Sequence, residues 1–205
     1  MKPDIVSGPR KKSWRLVCWL SRLFLLAGIA ALGYAAYFYV SAYAFQKVES
    51  ISFDARAFDP TAPPIAHIVP EGGIIGRIEI GRVGLSAMVV EGDSTFLLRH
   101  AVGHVPQTAL PGEHGNIALT AHRDTFFRSL RQLQPGDAIT LETLGGQYQY
   151  SVQSMEIVSP AATEVLQSSG DQELTLITCY PFYFVGPAPS RYVVHARKIG
   201  SSVDP

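Results

Sequence analysis

The longest uncharged stretch of the sequence is the feature that most limits what this chain can fold into. Residues 23–45, LFLLAGIAALGYAAYFYVSAYAF, form a run of 23 positions without a formal charge. A helix of this length spans the hydrocarbon core of a bilayer. The sequence therefore predicts a transmembrane signal-anchor helix at residues 23–45. Its tyrosines crowd the second half, where amphipathic rings suit the headgroup level: Tyr34, Tyr37, Tyr39 and Tyr43.

The distribution of charge predicts how that helix is oriented. Residues 1–45 carry six Lys and Arg against Asp4 alone, whereas residues 46–205 carry a net charge of −5. Because basic residues stay on the cytoplasmic side, residues 1–22 are predicted to be cytoplasmic and everything after Phe45 to lie outside the plasma membrane. The alternatives to a membrane anchor at residues 23–45 are a cleaved signal peptide and a buried core helix. The acidic body argues against a nucleic-acid partner, which requires a clustered basic face.

The two cysteines fall on opposite sides of the predicted membrane span. Cys18 lies at its cytoplasmic edge and Cys179 in the exported body, so we expect no disulfide between them. Exported compartments tend to oxidise thiols that have no function. Cys179 is therefore either a reactive residue or a buried inert one, and the compartment favours the reactive interpretation.

The exported part divides into an irregular segment and a strand-rich one. Residues 46–73 hold four prolines and little periodicity, which is typical of a linker or arm. Seven short apolar runs follow at residues 74–199, ahead of a tail at 200–205: IIGRIEI, LSAMVV, NIALTA, AITLET, QYQYSVQSMEIVS, ELTLIT and RYVVHARKI. Their number and spacing predict an all-β, closed or nearly closed antiparallel barrel. Short helices are expected at residues 94–99, 125–130 and 163–167.

A reactive cysteine requires a base, and the strand pattern indicates one. Cys179 and His122 each follow a strand-like run, TLIT and NIALTA. Two strand ends on one sheet can bring their side chains together, which is the geometry of a cysteine–histidine pair. Arg191 opens the last strand, where a guanidinium can stabilise a developing oxyanion.

A second pair of histidines offers an alternative site. His100 and His104 lie four apart in HAVGH, a spacing that can bind zinc from one helical face. The glutamate of the HExxH pattern is absent and Gly103 weakens a helix here. A packed loop near the site is the favoured interpretation, and no metal is predicted.

Three separated motifs together resemble the sortases, a family of membrane-anchored cysteine transpeptidases. TLITC matches the family's TLxTC signature, and NIALTAHRDTFFRSL with GDAITLET resembles the segment around its histidine. The resemblance covers about residues 72–199, with the motifs in the family's order. HVPQTALPGEHGN and CYPFYFVGPAPSRYVVHA look most like the class D members.

The resemblance implies a mechanism and partners. It makes Cys179 the nucleophile, His122 the acid/base and Arg191 the residue that positions substrate and stabilises the oxyanion. The substrate would be an exported protein with a C-terminal LPxTG-like sorting signal, cleaved after its threonine through a thioester. The acceptor would be an amine, such as that of a cell-wall precursor or a pilin lysine. An L,D-transpeptidase and a non-catalytic membrane-tethered binding domain are the alternatives.

The resemblance also extends the structural expectations. It implies eight strands, so that an eighth must lie within residues 82–116 or 148–158. Some sortases hold calcium, but the loop carboxylates here show no ligand spacing, and neither a metal nor a cofactor is expected. Asp59 and Pro60, in the predicted arm, leave a lid over the site as a further hypothesis.

Overall fold

The computed structural model describes residues 11–57, 69–168, 172–184 and 186–202. The chain divides into two compact units, Met1–Ser41 and Ala42–Pro205. Helix α1, Lys11–Ala57, begins in the first unit and ends in the second. Apolar side chains along the first unit are exposed, as Leu23 and Leu32 illustrate. The helix is long and apolar enough to cross a membrane, and the predicted span at residues 23–45 lies within it.

Within the predicted linker or arm, residues 46–57 are helical rather than irregular, because they continue α1. The segment QKVESISFDARA contains neither glycine nor proline, so nothing in it ends the helix. Its side chains bind the strand-rich part of the second unit. Gln46 accepts a hydrogen bond from Met88 N at 2.8 Å and donates one to His100 O at 2.7 Å. Phe53 is 3% exposed, which makes this end of α1 part of the folded domain.

The remainder of the predicted arm is only partly described. Residues 58–68, which include Asp59 and Pro60 of the hypothesised lid, lie outside the described residues. From residue 69 the chain leads directly into the first strand.

Eight strands form one closed barrel. Their order around the barrel is β1-β2-β3-β4-β7-β8-β6-β5, and β5 pairs with β1 to close it. The bounds are β1 Ile74–Ile80, β2 Leu85–Glu91, β3 Val102–His104, β4 Gly115–Thr120, β5 Ala138–Thr143, β6 Gly146–Val158, β7 Gln172–Tyr180 and β8 Ser190–Ser202. The predicted all-β barrel is thus confirmed, and the missing eighth strand is β3, within residues 82–116.

The prediction of purely antiparallel pairing needs a correction at two places. β2 pairs with β3 in parallel, and so does β4 with β7. Parallel neighbours need a crossover connection rather than a hairpin. The chain supplies one through helix α2, Thr95–Leu98, between β2 and β3, and another through β5 and β6 between β4 and β7. The second parallel pair determines where the candidate site forms.

The interior of the barrel is filled by the inward faces of the strands. In β6 the side chains of Tyr148, Tyr150 and Val152 are buried and share one face of the strand, as the period-two geometry of a strand requires. The three short helical segments also appear near their predicted positions, α2 and the 3-10 turns at Phe126–Gln132 and Glu164–Leu166. Phe127 and Leu130 of the longer turn are fully buried and anchor the chain that follows β4.

Candidate active site

The parallel pair of β4 and β7 brings His122 and Cys179 to the same end of the barrel. Thr120 and Ile177 are partners in the register of β4 and β7. His122 and Cys179 each follow two residues later, so the same register places them side by side. The alignment persists beyond the last strand pair. Thr178 Oγ1 donates to Ala121 O at 2.8 Å in a buried hydrogen bond, which ties together the residues immediately before the two side chains.

The antiparallel pair of β7 and β8 adds Arg191. Cys179 and Arg191 are direct partners in the register of these strands. Since β8 begins where β7 ends, its first residues share the barrel end with the carboxyl ends of β4 and β7. Cys179, His122 and Arg191 therefore occupy neighbouring positions on three adjacent chain segments, with Cys179 in the middle.

At this end of the barrel, the three site residues are more exposed than the residues near them in sequence. Ala121, Thr178 and Val193 are 4%, 2% and 0% exposed. Cys179, His122 and Arg191 are each half-buried. The residues directly before His122 and Cys179, and the second residue after Arg191, are thus anchored in the interior, while the three functional groups remain partly exposed and within reach of a substrate.

The polar atoms of the three residues are largely uncommitted. Cys179 is a free thiol. The imidazole of His122 has no hydrogen-bond partner within the described part of the chain. One nitrogen of Arg191, Nη1, donates to Ser190 O at 3.1 Å and Ala188 O at 3.5 Å, so a guanidinium with five N–H groups keeps donors for a ligand. The arrangement can supply a nucleophile, a proton carrier and an anion-stabilising cation.

The alternative pair, His100 and His104, is arranged quite differently. His104 is 2% exposed, and its Nδ1 lies 2.7 Å from Glu91 Oε2. Its Nε2 lies 3.0 Å from Ala109 O and 2.9 Å from Thr108 Oγ1. Both nitrogens are thus occupied by protein groups, as expected for a packed structural histidine.

His100 is likewise engaged locally. Its Nδ1 lies 3.0 Å from Phe96 O, and its ring packs against the rings of Phe45 and Phe96. No group of three or more His, Cys, Asp or Glu side chains suited to a metal ion occurs among the residues that the structure describes. The two histidines of HAVGH belong to the packing around β3.

Comparison with protein families decides between the interpretations left open by the sequence. The family model described as Sortase domain matches residues 78–199, which is most of the barrel and includes all three site residues. The chain belongs to the sortase family. This assignment excludes the L,D-transpeptidase and the non-catalytic binding domain, and it makes the protein a sortase transpeptidase.

Individual relatives agree with this assignment. Sortase D of Bacillus subtilis (strain 168) is 35% identical over 136 residues, which cover 65% of this chain and 69% of the relative. Sortase A of Bacillus anthracis is 30% identical over 163 residues, covering 77% and 76%. The solved structure of a Clostridium perfringens Sortase D5 transpeptidase covers 78% of this chain and 99% of its own, with a TM-score of 0.65 and 26% identity. The predicted resemblance to class D is confirmed.

An aromatic cluster flanks Cys179 of this sortase. Tyr180 and Tyr192 stack with ring centroids 6.4 Å apart, and Phe182 contacts both rings edge-on. Burial raises the pKa of the Tyr192 hydroxyl above its ordinary value. The cluster provides an apolar surface next to Cys179.

Sequence reasoning missed one residue of this sortase, Arg123. Its guanidinium donates to three backbone carbonyls in the segment after Cys179: Pro181 O at 3.0 Å, Phe184 O at 2.7 Å and Gly186 O at 3.2 Å. The available signal was position alone, because Arg123 directly follows the strand-end histidine in AHRD. Contacts over such a sequence separation follow from the fold and not from a local pattern.

Proposed function

We propose that this sortase uses Cys179 to cleave an LPxTG-like C-terminal sorting signal after its threonine and to transfer the exported protein to an amine. The observation that carries the proposal is the placement of Cys179, His122 and Arg191 on adjacent segments at one barrel end, half-buried and with uncommitted polar atoms. Membership of the sortase family supports the substrate class, since the family implies LPxTG-type substrates and amine acceptors in general.

The first half-reaction forms a thioester. The thiolate of Cys179 attacks the carbonyl carbon of the threonine, and the electron pair of the C=O bond moves onto oxygen. Arg191 donates hydrogen bonds to this oxyanion and stabilises its charge. When the carbonyl reforms, the bond to glycine breaks and protonated His122 gives its proton to the departing amine. The exported protein remains attached to sulfur.

The second half-reaction consumes the thioester. An amine attacks the same carbonyl carbon while neutral His122 takes a proton from its nitrogen. Collapse of the tetrahedral intermediate breaks the carbon–sulfur bond, forms the new amide and releases the Cys179 thiolate. The accepting amine is that of a cell-wall precursor or of a pilin lysine. The apolar cluster of Tyr180, Phe182 and Tyr192 favours transfer over hydrolysis by limiting water near the thioester.

Membrane anchoring is part of the same proposal. Helix α1 carries the apolar stretch 23–45, preceded by the basic segment and followed by the catalytic barrel. Basic residues on its amino-terminal side place the N-terminus in the cytoplasm and the barrel outside. This orientation puts Cys179 in the compartment of exported proteins, where sorting signals become accessible.

A transfer assay tests the chemistry. The full chain in detergent is incubated with LPxTG peptides that vary at the third position and with triglycine or lysine as amine, and products are identified by mass spectrometry. We expect peptide joined to amine after the threonine, and no product from Cys179→Ala. Transfer by Cys179→Ala, or cleavage at a different bond, contradicts the proposal.

Thiol labelling tests the orientation. Intact cells expressing the chain are treated with a membrane-impermeant maleimide before and after permeabilisation. We expect Cys179 to be labelled in intact cells, with Cys179→Ala as the control that loses the label. Labelling of Cys179 only after permeabilisation would reverse the orientation.

A further inference from the structure

Arg123 connects the two chain segments that carry His122 and Cys179. It follows His122 directly, and its side chain crosses to the loop that begins two residues after Cys179. Nη1 donates to Pro181 O at 3.0 Å, while Nη2 donates to Phe184 O at 2.7 Å and Gly186 O at 3.2 Å. The guanidinium carbon also lies 5.9 Å from the centroid of the Phe184 ring.

The geometry of these contacts requires an arginine. Three carbonyl oxygens converge on two nitrogens of one planar group, an arrangement that a guanidinium fork satisfies and an ammonium on a flexible stem does not. Hydrogen bonds from a charged donor are stronger than those between neutral groups. Within the described residues no carboxylate pairs with Arg123. The positive charge of Arg123 therefore strengthens its hydrogen bonds to the backbone carbonyls of the loop.

We infer that Arg123 is a positioning residue, which sets the separation and orientation of His122 relative to Cys179. The Thr178–Ala121 hydrogen bond joins the two segments on the interior side of the site. Arg123 joins them again on the loop side, beyond Cys179. These hydrogen bonds lie on both sides of His122 and Cys179. They therefore couple the motion of the segment that carries His122 to that of the segment that carries Cys179. Among the described residues, the hydrogen bonds of the Arg123 side chain go to the loop carbonyls and not to the thiol or the imidazole.

This inference rests on the proposed function for its kinetic consequence. Proton transfer by His122 to the leaving amine depends on the distance between groups held by the two segments. Displacement of a catalytic group by about 1 Å can cost on the order of 100-fold in rate. Loss of Arg123 is therefore expected to lower kcat more than it raises KM, because the fault lies in the steps after binding.

The test compares three variants of the full chain in detergent. Arg123→Ala removes the fork, Arg123→Lys keeps the charge without the fork, and Arg128→Ala removes an exposed arginine nearby as the matched control. For Arg123→Ala we expect kcat about 10- to 100-fold lower with KM within about threefold of wild type. Arg123→Lys should be intermediate and Arg128→Ala unchanged. Hydrogen exchange of the segment after Cys179 should be faster in Arg123→Ala than in wild type and unchanged in Arg128→Ala.

Two outcomes overturn the inference. The first is a kcat of Arg123→Ala equal to that of wild type. The second is a loss of activity that only follows the unfolded fraction, measured by thermal denaturation of the same samples. If the wild-type chain transfers no peptide, the proposed function fails instead. Hydrogen exchange then decides the role of Arg123, since unchanged exchange after Cys179 in Arg123→Ala rejects it and faster exchange supports it.

Discussion

Two histidines at neighbouring strands of the barrel differ in how far their surroundings occupy the ring nitrogens. His104 ends β3 and is 2% exposed, with Glu91 on Nδ1 and Ala109 O and Thr108 on Nε2. His122 follows β4, is half-buried, and has an imidazole without a hydrogen-bond partner in the described part of the chain. A proton carrier must keep a ring nitrogen free, and of these two histidines His122 meets that condition among the described residues.

The hydrogen bonds to both ring nitrogens of His104 have a structural consequence. The hydroxyl of Thr108 donates to Val105 O at 2.7 Å and accepts from Ala118 N at 3.2 Å. The ring of His104 thus fixes the turn between β3 and β4 from inside. His104 stabilises the strand that presents His122, and its own nitrogens are unavailable for chemistry.

The largest expected effect comes from removing the free imidazole. His122→Ala should reduce peptide transfer by about 10²- to 10⁴-fold, the contribution typical of general acid–base catalysis. The melting temperature should change little, because the ring of His122 makes no hydrogen bond to the described residues that could be lost. Transfer kinetics and thermal denaturation of the same preparation measure both. Full activity in His122→Ala would remove the distinction between the two histidines.

Breaking the buried pair of His104 and Glu91 should lower stability while leaving the activity of the folded protein nearly unchanged. His104→Ala leaves the Glu91 carboxylate, 16% exposed at its side chain, without its partner. Loss of one member of a buried pair costs about 3 kcal/mol in the free energy of unfolding. Chemical denaturation measures this cost, and kcat of the folded fraction should remain within a fewfold of wild type.

The exposed pair of His195 and Glu156 provides the matched control. Their Nε2–Oε1 distance is 2.9 Å, similar to that of the buried pair, but the side chains are 32% and 51% exposed. His195→Ala should cost less than about 1 kcal/mol, as surface pairs do. Equal costs for His104→Ala and His195→Ala would contradict the claim that burial gives the His104 pair its weight.

A smaller effect is expected at the connection between β4 and β7. Thr178→Val removes the hydroxyl that donates to Ala121 O at 2.8 Å, at a cost of about 1 kcal/mol. Since Ala121 precedes His122, the rate of transfer should fall as well. Thr175→Val loses a comparable buried hydrogen bond to Asn116 Oδ1, also 2.8 Å, three residues further from Cys179.

The threonine comparison separates stability from placement. Both variants should lower the free energy of unfolding similarly, and only Thr178→Val should lower kcat. If Thr175→Val reduced kcat as much, distance from the site would be irrelevant and the effect would be one of general stability.

The smallest effect is expected far from both histidines. Arg82 Nε lies 2.6 Å from Asp137 Oδ1, and this hydrogen bond holds the pKa of Asp137 below its ordinary value of 3.8. A carboxyl with a lowered pKa in the folded state stabilises it above the ordinary pKa, and the stabilisation is lost as pH falls through the folded value. Melting curves of wild type and Asp137→Asn should therefore differ slightly near neutral pH and converge below pH 3.8. A difference that grew on acidification would have the wrong sign.

The sequence alone predicted the parts of this fold that depend on local patterns. Short apolar runs and their spacing identified seven of the eight strands. β3 was missed because its three residues are all buried and do not alternate. Position 103 requires glycine because the backbone of residue 92 passes close to it: an added Cβ would lie 2.4 Å from Gly92 O. Such contacts have no local signature.

The candidate site was predictable to a similar extent. Strand ends identified Cys179 and His122, but their proximity depends on a parallel pairing between strands separated by β5 and β6. The continuation of α1 through residues 46–57 was missed because its stability comes from packing, as with Phe53, and not from periodicity. Arg123 is defined entirely by contacts to a distant loop.

The central claim is that Cys179 carries the donor as a thioester, and intact-protein mass spectrometry tests it most directly. The wild-type chain mixed with an LPxTG peptide and no added amine should gain the mass of the donor up to its threonine. Peptide mapping should locate the adduct on Cys179, and hydroxylamine should discharge it. His122→Ala should accumulate it slowly, and His104→Ala at the wild-type rate per folded molecule. Transfer product formed without an adduct on Cys179, or an adduct retained in Cys179→Ala, would contradict the account.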